Sequence, residues 1–168
     1  MRPLTDRIPK PLLEVGGKAL IVWHLERLAA AGFREVVINH AHLGAQIEST
    51  LGNGARFGIS ISYSPEPEGA PETAGDVIQA LPLLGSHPFL LISGDIYVEC
   101  DYRSLVAPPL RDDATALMWM VDNPPWHAKG DFALRDGQLV FDGEPKMTYA
   151  NIGIFTPAFF ADTESGRR

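Results

Sequence analysis

Residues 20–92 predict an α/β fold with a mainly parallel sheet flanked by helices. Short, wholly apolar runs alternate there with stretches of helical periodicity, and Gly or Pro marks most of the junctions. Wholly apolar runs suit strands buried on both faces, as parallel strands usually are.

The elements follow in order. The first eighteen residues carry three prolines and the Gly16-Gly17 pair, and read as loop. From Leu20 to Ala31, the residues Leu20, Val22, Trp23, Leu25, Leu28 and Ala29 fall at helical spacing, and Gly32 is a natural stop. Val36-Val37-Ile38 follows as a strand. Gly44 to Leu51 is a short helix ended by Gly52-Asn53-Gly54, and Ile59 to Tyr63 alternates as a strand. Thr73 to Leu81 is a helix, with Thr73 as its cap and Pro82 closing it. Phe89 to Ile92 is a buried strand that ends at Ser93-Gly94-Asp95. After residue 110 the pattern turns antiparallel: Ala116 to Val121, Phe132 to Leu134, Gln138 to Phe141 and Tyr149 to Phe155 are strands joined by turns, with Asp136-Gly137 as a hairpin signal. Asp122 to Lys129, with two prolines and a tryptophan, is an irregular surface loop.

Composition narrows the function. The 168 residues suffice for one domain, spanning 1–168, with a sizeable core. The net charge of −7, with no clustered basic face, argues against nucleic acid as a partner. Cys100 is the single cysteine, so no disulfide framework or thiolate metal cluster exists, in keeping with a cytoplasmic location. No apolar run is long enough to span a bilayer, and the N-terminus carries no signal-peptide apolar region.

In open α/β sheets, ligands bind beyond the carboxyl ends of the strands. That rule selects Asn39-His40, Pro65 to Gly75, and Gly94-Asp95. Asp95, at the end of an apolar strand and preceded by glycine, suits a hard cation such as Mg²⁺, or equally the cap of the turn that follows. Arg2 and Lys10 sit in a proline-stiffened loop before the first helix, where phosphate is a natural partner, although single surface charges are often only solvated. Glu72-Thr73-Ala74-Gly75 reads as a helix N-terminus, with Gly75 permitting close approach of a ligand to the backbone. The five histidines match no zinc spacing, and neither a Gly-x-Ser-x-Gly elbow nor a Gly-x-x-x-x-Gly-Lys-Ser/Thr loop occurs.

Met1-Arg2-Pro3-Leu4-Thr5 with Pro9-Lys10-Pro11-Leu12, Glu72-Thr73-Ala74-Gly75, Gly94-Asp95 and Asn151-Ile152-Gly153-Ile154-Phe155 together resemble the signature of the sugar-1-phosphate nucleotidyltransferases. Ile38 to Gly44, Val121-Asp122-Asn123-Pro124 and Lys129-Gly130-Asp131-Phe132 resemble its N-acetylmuramate-1-phosphate uridylyltransferase branch, of bacterial cell-wall recycling. The mannose-1-phosphate guanylyltransferases share most of the same pattern. The resemblance implies a Rossmann-like, nucleotide-diphospho-sugar transferase fold. It also implies in-line attack of a sugar 1-phosphate on the α-phosphorus of a nucleoside triphosphate, UTP in the muramate branch, with Mg²⁺ as cofactor. By carry-over, Asp95 holds Mg²⁺, Arg2 and Lys10 face phosphates, and Glu72, Thr73, Ala74, Gly75 and Gly94 lie along the nucleotide. Asp131, Glu144 and Asn151 face the sugar. The chain is expected to act as monomer or homodimer.

The sequence departs from the family at both ends. The family's first strand and its Gly-rich loop, which offers backbone N–H groups to the triphosphate, would precede Met1. A Trp-x-Asp-x-Gly-Thr segment bearing a second metal aspartate would follow Arg168. Without the first strand, its neighbours are expected to stand about 10 Å apart with exposed edges. The expectation is therefore a chain truncated at both ends and impaired or inactive as it stands, or a non-catalytic sugar-nucleotide-binding module. Ala74 and Asp76 stand where the muramate branch favours glycines.

Overall fold

The computed structural model describes residues 3–66, 74–106 and 109–161. Near the start, β1 (Glu14–Val15) and β2 (Lys18–Ala19) form a small antiparallel hairpin where the sequence suggested only loop. Its two-residue turn is Gly16-Gly17, with φ of 62° and 76°, the left-handed pair that such a turn requires. Helix α1 (Leu20–Ala30) follows, burying Leu20, Ile21, His24, Leu25 and Leu28. It ends in a Schellman motif: Phe33 N–H bonds the Leu28 carbonyl at 3.0 Å, Gly32 N–H bonds that of Ala29 at 3.1 Å, and Gly32 has φ of 100°.

A βαβ unit comes next, in the order β3 (Glu35–His40), α2 (Gly44–Leu51) and β4 (Ser60–Pro65), with β3 and β4 paired in parallel from Glu35↔Ser60 to His40↔Pro65. Helix α3 (Ala74–Leu84) carries Pro82 inside it, so proline does not close it as the sequence suggested. The stop is Gly85, whose N–H bonds Leu81 O at 3.1 Å and whose φ is 78°.

The remaining strands are β5 (Phe89–Ile92), β6 (Ala116–Val121), β7 (Phe132–Arg135), β8 (Gln138–Val140) and the long β9 (Lys146–Phe155), with the short helix α4 (Arg103–Val106) between β5 and β6. All pair antiparallel around β9, which takes β5 on one side and β6 on the other, and β7 with β8 toward its start. Among the described residues, β3 and β5 each pair along one edge only. The open edge accounts for the partial exposure of every β5 residue, although the strand is wholly apolar.

Helix α1 joins the halves. Ile21 and Leu25 pack with Ile38, Ile47, Leu51, Ile59 and Ile61 of the βαβ unit. One turn on, Leu28 packs with Tyr102, Leu105 and Ile152, joined by Leu90 and Ile92 from one face of β5. The other β5 face, Phe89 and Leu91, meets Val77, Phe155 and Phe160 under α3. The alternation of β5 thus fits a sheet covered on both faces. Among the described residues, no helix is long and apolar enough to cross a membrane.

Candidate active site

The strand ends converge as the carboxyl-end rule predicts. A cavity of about 770 Å³ is lined by Asn39 and His40 from the end of β3, Glu66 beyond β4, and Ser93, Gly94 and Asp95 beyond β5. Thr5 to Pro11 supply another wall, through Lys10 and its neighbours. Pro9 is buried, and Lys10 begins a 3₁₀ turn whose Leu12 N–H bonds Pro9 O at 2.9 Å. Gln46 of α2 anchors the same loop by donating to Arg7 O at 3.1 Å. Lys10 Nζ is held 3.6 Å from Asp95 Oδ2, with both side chains about half exposed.

This is a weak ion pair by its length, so each partner keeps capacity for a ligand. Among the described residues, no group of three or more His, Cys, Asp or Glu could hold a metal ion. One carboxylate beside a lysine still fits Mg²⁺, which retains water and is bound through one or two carboxylates together with phosphate oxygens. A Cβ at Gly94 would meet Pro11 and Ile21 only at 3.6–3.7 Å, so packing does not force glycine there. Gly75, in the first turn of α3, likewise has no described neighbour within 4 Å of a Cβ. Arg2, Glu72 and Thr73 lie outside the described residues, and Ala74 opens α3.

Acidic residues share the cavity wall. Asp76 lines it on α3, whose first turn is tied to β3 by Asn39 Nδ2 donating to Asp76 O at 3.1 Å. Burial, and then the Asp76 charge, raise the Glu66 carboxyl, while His40 partly offsets them. His40 is itself buried, bonded to Glu48 at 2.8 Å and packed against Tyr63. His42 lines the same wall, but exposed.

The segment after Asp95 is gripped by α1. His24 Nε2–H donates to Ile96 O at 2.7 Å, which leaves Nδ1 to accept the Tyr102 hydroxyl at 2.6 Å. Arg27 adds a bond to Val98 O. Burial lowers the His24 pKa, reinforced by Arg27 and opposed by the Ile96 bond and Asp95, and burial pushes Tyr102 up to about 12. Because the folded value lies below 6.5, His24 contributes stability above that pH and loses it as pH falls further. Melting temperature against pH should therefore drop below about 6.5 in the wild type, and His24→Gln should flatten that drop. Tyr102→Phe should cost about 1–3 kcal/mol in urea unfolding, since it orphans a buried acceptor.

A second cavity, of about 720 Å³, holds Asp131 and Asn151 with His127, Thr148, Tyr149, Trp126 and Phe141. Asn151 sits at an irregularity of β9, where Met118↔Gly153 gives way to Met120↔Tyr149, and has φ of 57°. Its carbonyl accepts Ser93 N–H at 3.1 Å, which ties this cavity to the first. Asp131 stands in the wall, but its oxygens are already engaged by His127 Nε2 at 3.0 Å and Tyr149 N–H at 2.8 Å. Glu144 is exposed and lines neither cavity, being placed just before β9. Asn39 and His40 were legible by the strand-end rule. Glu66 falls in the Pro65 to Gly75 stretch that the same rule selected, whereas Trp126 and Phe141 carried no sequence signal of a site.

Residues 1–132 match the family model described as Nucleotidyl transferase. Over 99% of its length, the chain is 49% identical to N-acetylmuramate alpha-1-phosphate uridylyltransferase of Neisseria meningitidis serogroup B, covering 74% of that protein. It is 34% identical to the protein of the same name from Caulobacter vibrioides, with the same shares covered, 99% and 74%. The fold matches HddC from Yersinia pseudotuberculosis complexed with GMP-PN at a TM-score of 0.73 and 19% identity, over 96% of this chain and 73% of that one. The chain belongs to the nucleotidyl transferase family, among the sugar-1-phosphate nucleotidyltransferases.

Proposed function

We propose that this chain, as one domain, joins UTP to N-acetylmuramate 1-phosphate and releases pyrophosphate in the cytoplasm. The observation that carries the reading is the Lys10–Asp95 pair at the strand ends, in a chain 49% identical to a protein named for that reaction. A phosphate oxygen of the sugar 1-phosphate attacks the α-phosphorus as the bond to the pyrophosphate oxygen breaks, so no covalent enzyme intermediate is needed. The protein's task is then alignment of two anions and neutralisation of their charge.

In this reading, Lys10 places its ammonium on the phosphates, and Arg2, eight residues earlier in sequence, serves the same phosphates. Bound Mg²⁺ would supply further charge neutralisation at the phosphates, with Asp95 as its protein ligand. In the same reading, Glu72, Thr73, Ala74 and Gly75 serve the nucleoside, Gly75 leaving the backbone open in the first turn of α3 and Gly94 leaving it open beyond β5. The sugar takes the second cavity, with Asn151 and Asp131; Glu144, which the resemblance also assigned to the sugar, stands outside that cavity, just before β9.

Product binding tests the specificity without requiring turnover. UDP-N-acetylmuramate at about a hundred times its dissociation constant should raise the melting temperature by about 5–10 °C, in the presence of Mg²⁺. GDP-mannose should raise it less. Equal or greater stabilisation by GDP-mannose would favour a guanylyltransferase, and binding indifferent to Mg²⁺ would favour a non-catalytic module.

A further inference from the structure

Trp126 and Phe141 are 87% and 75% exposed, the highest values among the exposed large hydrophobic side chains of the described residues, and both line the second cavity. An aromatic side chain held in water is costly unless something covers it. Here the holding is elaborate. Trp126 lies in the 3₁₀ turn Pro125–His127, closed by His127 N–H to Pro124 O at 2.9 Å. Asn123 braces that turn by donating to Ala128 O at 3.2 Å and Lys146 O at 2.8 Å, and accepts the Thr148 hydroxyl at 2.8 Å. Gly130, at φ of 63°, permits the packing, because a Cβ there would lie 2.7 Å from Asn123 Oδ1. Phe141 is seated against Phe132, with ring centroids 5.1 Å apart.

The polar side of the cavity is partly spent. Asp131 serves His127 and the Tyr149 backbone, and Thr148 serves Asn123. Recognition that rested on hydrogen bonds alone would therefore have few groups to use. A pyranose ring offers a complementary surface: C–H groups on its faces and hydroxyls around its edge. N-acetylmuramate adds two methyl-bearing substituents, the acetamido and lactyl groups, which suit aromatic walls.

We infer that Trp126 and Phe141 form the aromatic walls of a sugar subsite and set selectivity for a substituted, methyl-bearing sugar. This rests on the function proposed above. The Asn151 carbonyl bond to Ser93 joins the subsite to the Lys10–Asp95 cavity, so the ring occupies one cavity while its 1-phosphate reaches the other.

Calorimetry with UDP-N-acetylmuramate, and with UDP as the ligand lacking the sugar, tests the inference. Trp126→Ala and Phe141→Ala should each weaken UDP-N-acetylmuramate binding by about tenfold while leaving UDP binding unchanged, and Trp126→Phe should retain affinity to within about threefold. Wild-type emission should shift to the blue on adding UDP-N-acetylmuramate but not UDP, and Trp126→Phe should lose the shift. If both alanine variants bind UDP-N-acetylmuramate like the wild type, the inference fails while the proposed reaction stands. Equal loss of UDP binding would also overturn it, since the aromatic residues would then support the fold and not the sugar. A wild type that gains no affinity from the sugar moiety overturns the inference and the sugar assignment together.

Discussion

Asp95→Asn is expected to lower the rate of pyrophosphate release by about 10²–10³-fold, the usual scale for removing one preorganised electrostatic element from a reacting centre. The substitution keeps the shape of the side chain and removes its charge. It should leave the fold alone, because the Asp95 side chain is 40% exposed and its ion pair with Lys10 is long, at 3.6 Å. Substitutions of this kind usually stay within about 0.5 kcal/mol in stability. The comparison should be made in the form that turns over, whether the chain alone or the chain joined to the flanking segments of its Neisseria relative. Loss of rate with an unchanged melting temperature supports a metal and phosphate role. A rate within tenfold of the wild type would leave Asp95 as the cap of the turn after β5.

Gly44→Ala should destabilise the fold by about 2 kcal/mol or more, although alanine is the better helix former by about 1 kcal/mol. The added Cβ would land within the His40 imidazole. That ring has little room to yield, since His40 is 8% exposed, is bonded to Glu48 at 2.8 Å, and lies 5.8 Å from the Tyr63 ring. Either the pair with Glu48 breaks, or the ring moves into the cavity that holds Asn39 and Lys10. Urea unfolding should show a lower midpoint with an unchanged slope. His40→Ala placed on top of Gly44→Ala should recover most of the loss. A Gly44→Ala protein more stable than the wild type would mean that propensity outweighs the contact, and that α2 and β3 are not packed as described.

The sequence was most legible where local pattern and burial agree. Helix α2 runs from Gly44 to Leu51 as its periodicity and the Gly52 stop predict, and α1 ends at the glycine that a Schellman motif needs. The strand-end rule found the Lys10–Asp95 cavity because a parallel pair and β5 deliver their carboxyl ends to one side. Other features depend on contacts that no local pattern encodes. Parallel pairing is confined to β3 and β4 among the described residues, because β9, late in the chain, takes both β5 and β6 as antiparallel neighbours. Pro82 read as a stop, yet α3 runs on to Gly85. The bonds that hold Asp131 in the wall of the second cavity, to a histidine four residues earlier and to the β9 backbone, carried no signal. The grip of His24 on the segment after Asp95 spans 72 residues of sequence and carried no signal at all.

Pyrophosphate release from UTP or GTP, each paired with N-acetylmuramate, N-acetylglucosamine, glucose or mannose 1-phosphate in the presence of Mg²⁺, tests the proposed reaction most directly. It should be run on the chain alone and on the chain joined to the flanking segments of the Neisseria relative. The account predicts release with UTP and N-acetylmuramate 1-phosphate well above every other pair, abolished by chelating the metal. Preference for GTP with mannose 1-phosphate, or silence in both folded forms, would contradict it.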